Sequence, residues 1–152
     1  DMTPRHLGEA VNELERDAPV PIQYVKEHPG NGEYNMDSRT IILPEHQDDT
    51  EKFHALAQYT AQARLHQHWG EHYQPVPVLS DCAAIMICAR HGVSTDRYEL
   101  PTLDFSDKPP QEQRRFCKSL LEDVKVSAGK KQPNRSRGRA APTRSRPMTK
   151  AR

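Results

Sequence analysis

The sequence predicts an α+β fold on three observations. Apolar residues recur at helical spacing near the start and again through the second half of the chain. Short strand-like runs, closed by turn residues, are confined to residues 20–44. The resulting order is α-β-β-β-α-α-α, with strands early and helices late, which segregates a small sheet from the helices instead of alternating with them.

Each element has a local reason. Thr3 is a candidate N-cap with Pro4 at the first helical position, and Leu7, Ala10, Val11 and Leu14 follow at i, i+3, i+4 and i+7, one apolar stripe. "VPIQYVKE" alternates Ile22, Tyr24 and, less cleanly, Lys26, as a short strand does. "NGEYNMDSRTIILP" reads as a hairpin: Tyr34 leads in, Met36-Asp37-Ser38 turn, Thr40 to Leu43 return, and Pro44 closes the strand. A long helix follows, capped by Asp48, Asp49 or Thr50, with Phe53, Leu56, Ala57, Thr60, Ala61 and Arg64-Leu65 as its core face. Gly70 weakens its last turn, and Pro75 and Pro77 prevent continuation. "LSDCAAIMICARHG" is expected to be a second helix, capped by Ser80 or Asp81, stopped by Gly92, and apolar enough all round to lie in the middle of the domain. A final helix runs from about Pro110 to Val126, with Phe116, Leu120, Leu121 and Val124 as its apolar face and Cys117 beside it. No internal repeat is visible.

Composition bounds what this chain can be. Hydrophobic residues are 34% and charged residues 28% of 152 positions, enough for one core but not for one that spans every position. Thirteen prolines and a mean hydropathy of −0.93 place polar segments outside that core. No apolar run approaches the ~20 residues of a membrane span, and no basic-plus-apolar leader opens the chain, so no membrane partner is expected. The sequence opens Asp1-Met2, as a piece trimmed from a longer chain would. Cys82, Cys88 and Cys117, an odd number in no CxxC pair, argue for a reducing, cytoplasmic setting; Cys82 and Cys88, six apart on an apolar helix, read as buried and inert.

The formal net charge of +1 hides an asymmetry. Nine of the 22 Lys and Arg (Lys130, Lys131, Arg135, Arg137, Arg139, Arg144, Arg146, Lys150 and Arg152) lie in residues 129–152 without one acid, so the body holds 13 cations against all 21 acids. Two units are therefore expected: residues 1–127 as an acidic domain, and residues 128–152 as a disordered basic tail. Cations spaced by Ser, Gly and Pro suit contact with nucleic-acid phosphates, non-specific and salt-sensitive. With no aromatic interleaved, base stacking is not expected. The bland alternative is a solvated terminus, or one lying on the acidic body.

Two stretches, "GEYNMDSRTIILPEHQDDTEKFHALAQYTAQARLH" and "LSDCAAIMICARHGVSTDRYEL", together resemble the ImmA/IrrE-like zinc-peptidase domains. The nearest versions are the LtrC-like and ArdC-like antirestriction domains of plasmids and conjugative elements. The resemblance covers roughly residues 32 to 100. It consists of a G-x-Y hairpin (Gly32, Tyr34), a long helix, and a second helix that closes on Cys88, Gly92, Val93, Thr95 and Tyr98. It implies a small zincin-like domain, an early hairpin or short sheet packed on helices. It also implies a setting in mobile elements, antirestriction or conjugation.

In such a domain two imidazoles at i and i+4 hold one zinc ion, the Glu beside the first activates a bound water, and the next helix adds a third ligand. The resemblance places Gln58 and Gln62 at the two histidine positions, Tyr59 at the general base and Asp81 at the third ligand. "QYTAQ" thus stands where H-E-x-x-H would. Two neutral amides are poor zinc ligands, and a phenol of reference pKa ~10 is a weak base at neutral pH. The expectation is a degenerate, pseudo-peptidase site with no metal, no cofactor and no catalysis. The domain would then serve as an interaction module for nucleic acid or a protein partner. If the resemblance is fortuitous, Gln58, Tyr59 and Gln62 are ordinary polar helix residues, and Gln58, Gln62 and Asp81 do not converge.

One enzymatic alternative remains. "HWGEH" matches the inverted H-x-x-E-H pattern, with His68 and His72 as ligands and Glu71 as base, at a helix end weakened by Gly70. Its blander reading makes His66, His68 and His72 a solvated helix end, mildly favoured by the negative C-terminus. His91 reads in the same way, and Trp69 as packing.

Overall fold

A computed structural model describes residues 4–99 and 107–129. Its fold is α+β, with the elements in the expected order. They are α1 (Pro4–Asp17), β1 (Ile22–Val25), β2 (Glu33–Asn35), β3 (Thr40–Pro44), α2 (Asp49–Trp69), a short 3-10 turn (Gly70–His72), α3 (Pro77–His91) and α4 (Pro110–Ala128). The expected basic tail lies outside the described residues, apart from its first two positions.

The sheet has the order β1-β3-β2. β2 and β3 form the expected antiparallel hairpin, with Tyr34 opposite Ile41, and Asn35 accepts from the amide of Ser38 to close the turn. β1 adds to the other side of β3, parallel, with Ile22 opposite Ile41 and Tyr24 opposite Leu43. β3 is thus the central strand, and its Ile41 and Leu43 are fully buried against α2. The alternation read in β1 does not bury Tyr24, which is 38% exposed. Its hydroxyl instead donates to Glu15, and Lys52, 3.0 Å from Glu15, sits over its ring. A polar clasp between α1, β1 and α2 takes the place of a core contact.

α2 is the axis of the molecule, packed by α1, α3, α4 and the sheet. Asp48 caps it, accepting from the amide of Glu51 at 2.9 Å. The expected core face is buried except for the half-buried Arg64, but burial also takes in His54, Ala55, Ala63 and His66 on other sides of the helix. The alanines make this possible, because small side chains let neighbouring helices approach on several flanks.

α3 begins at Pro77 behind Val76, one turn earlier than the Ser80 or Asp81 cap expected from the sequence. Proline needs no amide partner at the first helical position, so the helix starts there, and the Ser80 hydroxyl donates to the Pro77 carbonyl. Gly92 closes the helix in the left-handed conformation at φ 72°. Burial of α3 is one-sided, contrary to expectation: Leu79, Ala83, Ala84, Ile87 and Cys88 are inside, whereas Cys82, Ile85 and Met86 are half-buried and Ala89 is exposed.

Among the described residues, α4 is buried toward its C-terminal end, at Val124, Ser127 and Ala128, with Leu120 half-buried; Phe116 and Leu121 of its expected apolar face are 43% and 49% exposed. That end is held by two guanidinium groups. Arg64 donates to the Ser127 carbonyl at 3.2 Å, and Arg90 donates to the carbonyls of Ala128 and Gly129 at 3.1 and 3.0 Å. Cations at the carbonyl end of a helix oppose its dipole and satisfy its last acceptors.

Candidate functional site

Gln58, Tyr59, Gln62 and Asp81 come together. Gln58 and Gln62 are one helical turn apart on the face of α2 that looks toward the start of α3, where Asp81 stands in the second turn. The Gln58 amide Nε2 donates to Asp81 Oδ1 at 3.0 Å. All four line a pocket of about 200 Å³, whose other walls are Pro75, Val76, Pro77 and Ser80. Pro75, in the connection after the 3-10 turn, and Pro77, at the start of α3, therefore also line this site.

The Tyr59 hydroxyl donates to Asn31 Oδ1, in the loop before β2. Burial raises its pKa above the usual tyrosine range, with the Glu33 charge acting in the same direction, so the group stays a neutral phenol. Gly32 makes room for this contact. Its φ is 125°, and a Cβ there would stand 2.6 Å from the Ile42 carbonyl oxygen and 3.3 Å from the Tyr59 ring.

The donor set decides what this pocket can do. Two carboxamides, a phenol, a serine hydroxyl and one carboxylate donate and accept hydrogen bonds. The set does not fit zinc: it offers no imidazole or thiolate, and one oxygen of its carboxylate already holds an amide. Among the described residues, no three His, Cys, Asp or Glu side chains gather into a group that could hold a metal. A neutral phenol cannot take the part of a general base near neutral pH.

The "HWGEH" residues are arranged differently from the helical motif. His68 is exposed in the last turn of α2, which ends at Trp69 with Gly70 at φ 61°. Glu71 and His72 are exposed on the following 3-10 turn, so the two histidines do not share one helical face. His66, expected in the solvated helix end, is buried: its Nδ1 is 2.6 Å from the Tyr34 hydroxyl and its ring lies against Tyr73. The central position of α2 puts that side of the helix under the hairpin. Trp69 packs against Tyr73, as expected.

A second cluster joins the closing segment of α3 to α2. His54 Nδ1 is 2.8 Å from the Tyr98 hydroxyl and 3.7 Å from Cys88 Sγ, with Arg97 paired to Glu51 at 2.7 Å alongside. Burial lowers the His54 pKa, the nearby Arg97 adding to the effect, and pushes the Cys88 thiol up to about 11. The raised thiol is a poor nucleophile near neutral pH, and its contacts with His54 and Tyr98 tie α3 and its closing segment to α2. Cys88 and Tyr98 stood out in the sequence, but His54 did not, since a histidine in a helix interior has no local signature. Cys82 is half-buried and Cys117 exposed.

The nine tail cations expected to meet nucleic acid lie outside the described residues. Comparison with protein-family models, with curated proteins and with solved structures returned no match.

Proposed function

We propose that this chain is a non-catalytic interaction module: a peptidase-like domain whose metal site has become a hydrogen-bonded polar pocket. The observation that carries this reading is the convergence of Gln58, Gln62 and Asp81, with Tyr59, on one small pocket. Scattered positions would have left the resemblance to zinc peptidases without support. In this reading the Gln58–Asp81 hydrogen bond joins α2 to α3 where a metal ion would otherwise join them. The setting is a cytoplasmic protein of a plasmid, phage or conjugative element, in antirestriction or a related DNA-associated role. Its partner is nucleic acid, met weakly and without sequence preference through the basic tail, or a protein.

Restoring the ligands tests this. The unmodified chain, purified without a histidine tag, is expected to carry substoichiometric metal and to show no rise in melting temperature on zinc titration. The variant Gln58→His/Tyr59→Glu/Gln62→His, with Asp81 kept, is expected to bind one zinc per chain and to melt higher with zinc than without. A folded variant that takes up no zinc would sink the proposal. So would stoichiometric zinc on the unmodified chain; a Glu71→Gln variant would then examine His68, Glu71 and His72.

A further inference from the structure

We propose that the channel between α3 and α4 is a docking groove for an acidic amphipathic helix of another protein. The channel has a volume of about 500 Å³, and its walls are almost wholly apolar. Its α3 wall is Cys82, Ile85, Met86 and Ala89, and its α4 wall repeats the same i, i+3, i+4, i+7 spacing from Cys117 to Val124. Two parallel rows of this kind are what the apolar face of a third helix packs into. Each wall spans seven residue steps, about 10 Å, so the groove seats about two turns of the occupant helix.

The charge of the lip selects its chemistry. Leu121, 49% exposed, stands in one helical column with Arg114, Lys118 and Lys125, at i, i+4, i+7 and i+11. All three cations are exposed, and within the described residues none is in an ion pair or hydrogen bond; exposed Glu122, next to this column at i+4 from Lys118, leaves the lip net positive. An apolar channel with an unpaired cationic lip complements a helix whose apolar stripe is flanked by Glu or Asp. It disfavours this chain's own basic tail, whose charge has the same sign. The groove is separate from the polar pocket, and the inference holds whichever way the zinc experiment falls.

The test uses the full chain and a set of helical 15-residue peptides with Leu fixed at i, i+3, i+4 and i+7 and the flanking positions varied among Glu, Gln and Lys. Fluorescence anisotropy is expected to rank Glu-flanked above Lys-flanked peptides by about tenfold or more at low salt, with the gap closing at high salt. Leu121→Glu is expected to abolish binding of both. Lys118→Glu/Lys125→Glu, at exposed positions where folding is not at stake, is expected to reverse the ranking. Absence of binding, or equal binding of Glu- and Lys-flanked peptides, would overturn the proposal. So would a concentration-dependent dimer dissociated by Leu121→Glu, which would make the occupant a second copy. Binding to phosphatidylserine vesicles that Leu121→Glu removes would overturn it in favour of a lipid surface.

Discussion

His54 faces inward from α2 with Tyr98 and Cys88 against its ring and Arg97 and Glu51 beside it. Desolvation, and then the Arg97 charge, hold its pKa below the ordinary value of 6.5, and burial does the same for His91. Such a histidine binds fewer protons folded than unfolded, so its stabilising contribution is present above about pH 6.5 and lost as pH falls through its folded value. Melting temperature is therefore expected to drop between pH 7.5 and 5, and less steeply in a His54→Gln variant; equal slopes would count against this. The three thiols make a second residue-level prediction. Exposed Cys117 is expected to alkylate first, then half-buried Cys82, and Cys88 last, because burial both shields Cys88 and pushes its pKa up to about 11. Timed labelling read by mass spectrometry gives the order.

At the scale of elements, the hairpin and the long helix depend on a few local devices. Gly32 occupies φ 125°, and any Cβ would meet the Ile42 carbonyl, so Gly32→Ala is expected to cost about 1–3 kcal/mol. Asp48→Ala removes the cap of α2 and is expected to cost about 1 kcal/mol. Denaturant unfolding of the two variants measures both. The elements were legible beforehand, from the Met36-Asp37-Ser38 turn, the acids before Phe53 and the apolar stripe of α1, but the conformational demand on Gly32 was not. The parallel seating of β1 on β3 was not, because a four-residue strand carries no mark of its partner. The open face of α3 was also hidden, since an apolar helix surface reads alike whether a neighbour covers it or not.

At the scale of the whole molecule, charge divides along the chain. No helix among the described residues is long and apolar enough to cross a membrane. Arg64 and Arg90 hold the end of α4 at residues 127–129, where the described residues stop and the cationic run of the sequence begins. Truncation after Gly129 is expected to leave the melting temperature unchanged and to remove retention on nucleic acid. If all nine cations engage phosphates, the slope of log affinity against log salt approaches about −8. A truncated chain that still binds nucleic acid would move that contact to the body.

The α+β class, the element order, the hairpin and the split of charge along the chain follow from sequence alone, because each rests on near neighbours or on composition. The identity of Gln58, Tyr59, Gln62 and Asp81 as a set was also visible there, but only as a pattern. Their meeting was decided by tertiary structure, since Asp81 is 23 residues from Gln58 and reaches it only when α3 packs on α2. The burial of His54 and His66 and the groove between α3 and α4 have the same cause. Each depends on which faces of a helix its neighbours leave in water, and spacing along the chain does not contain that information.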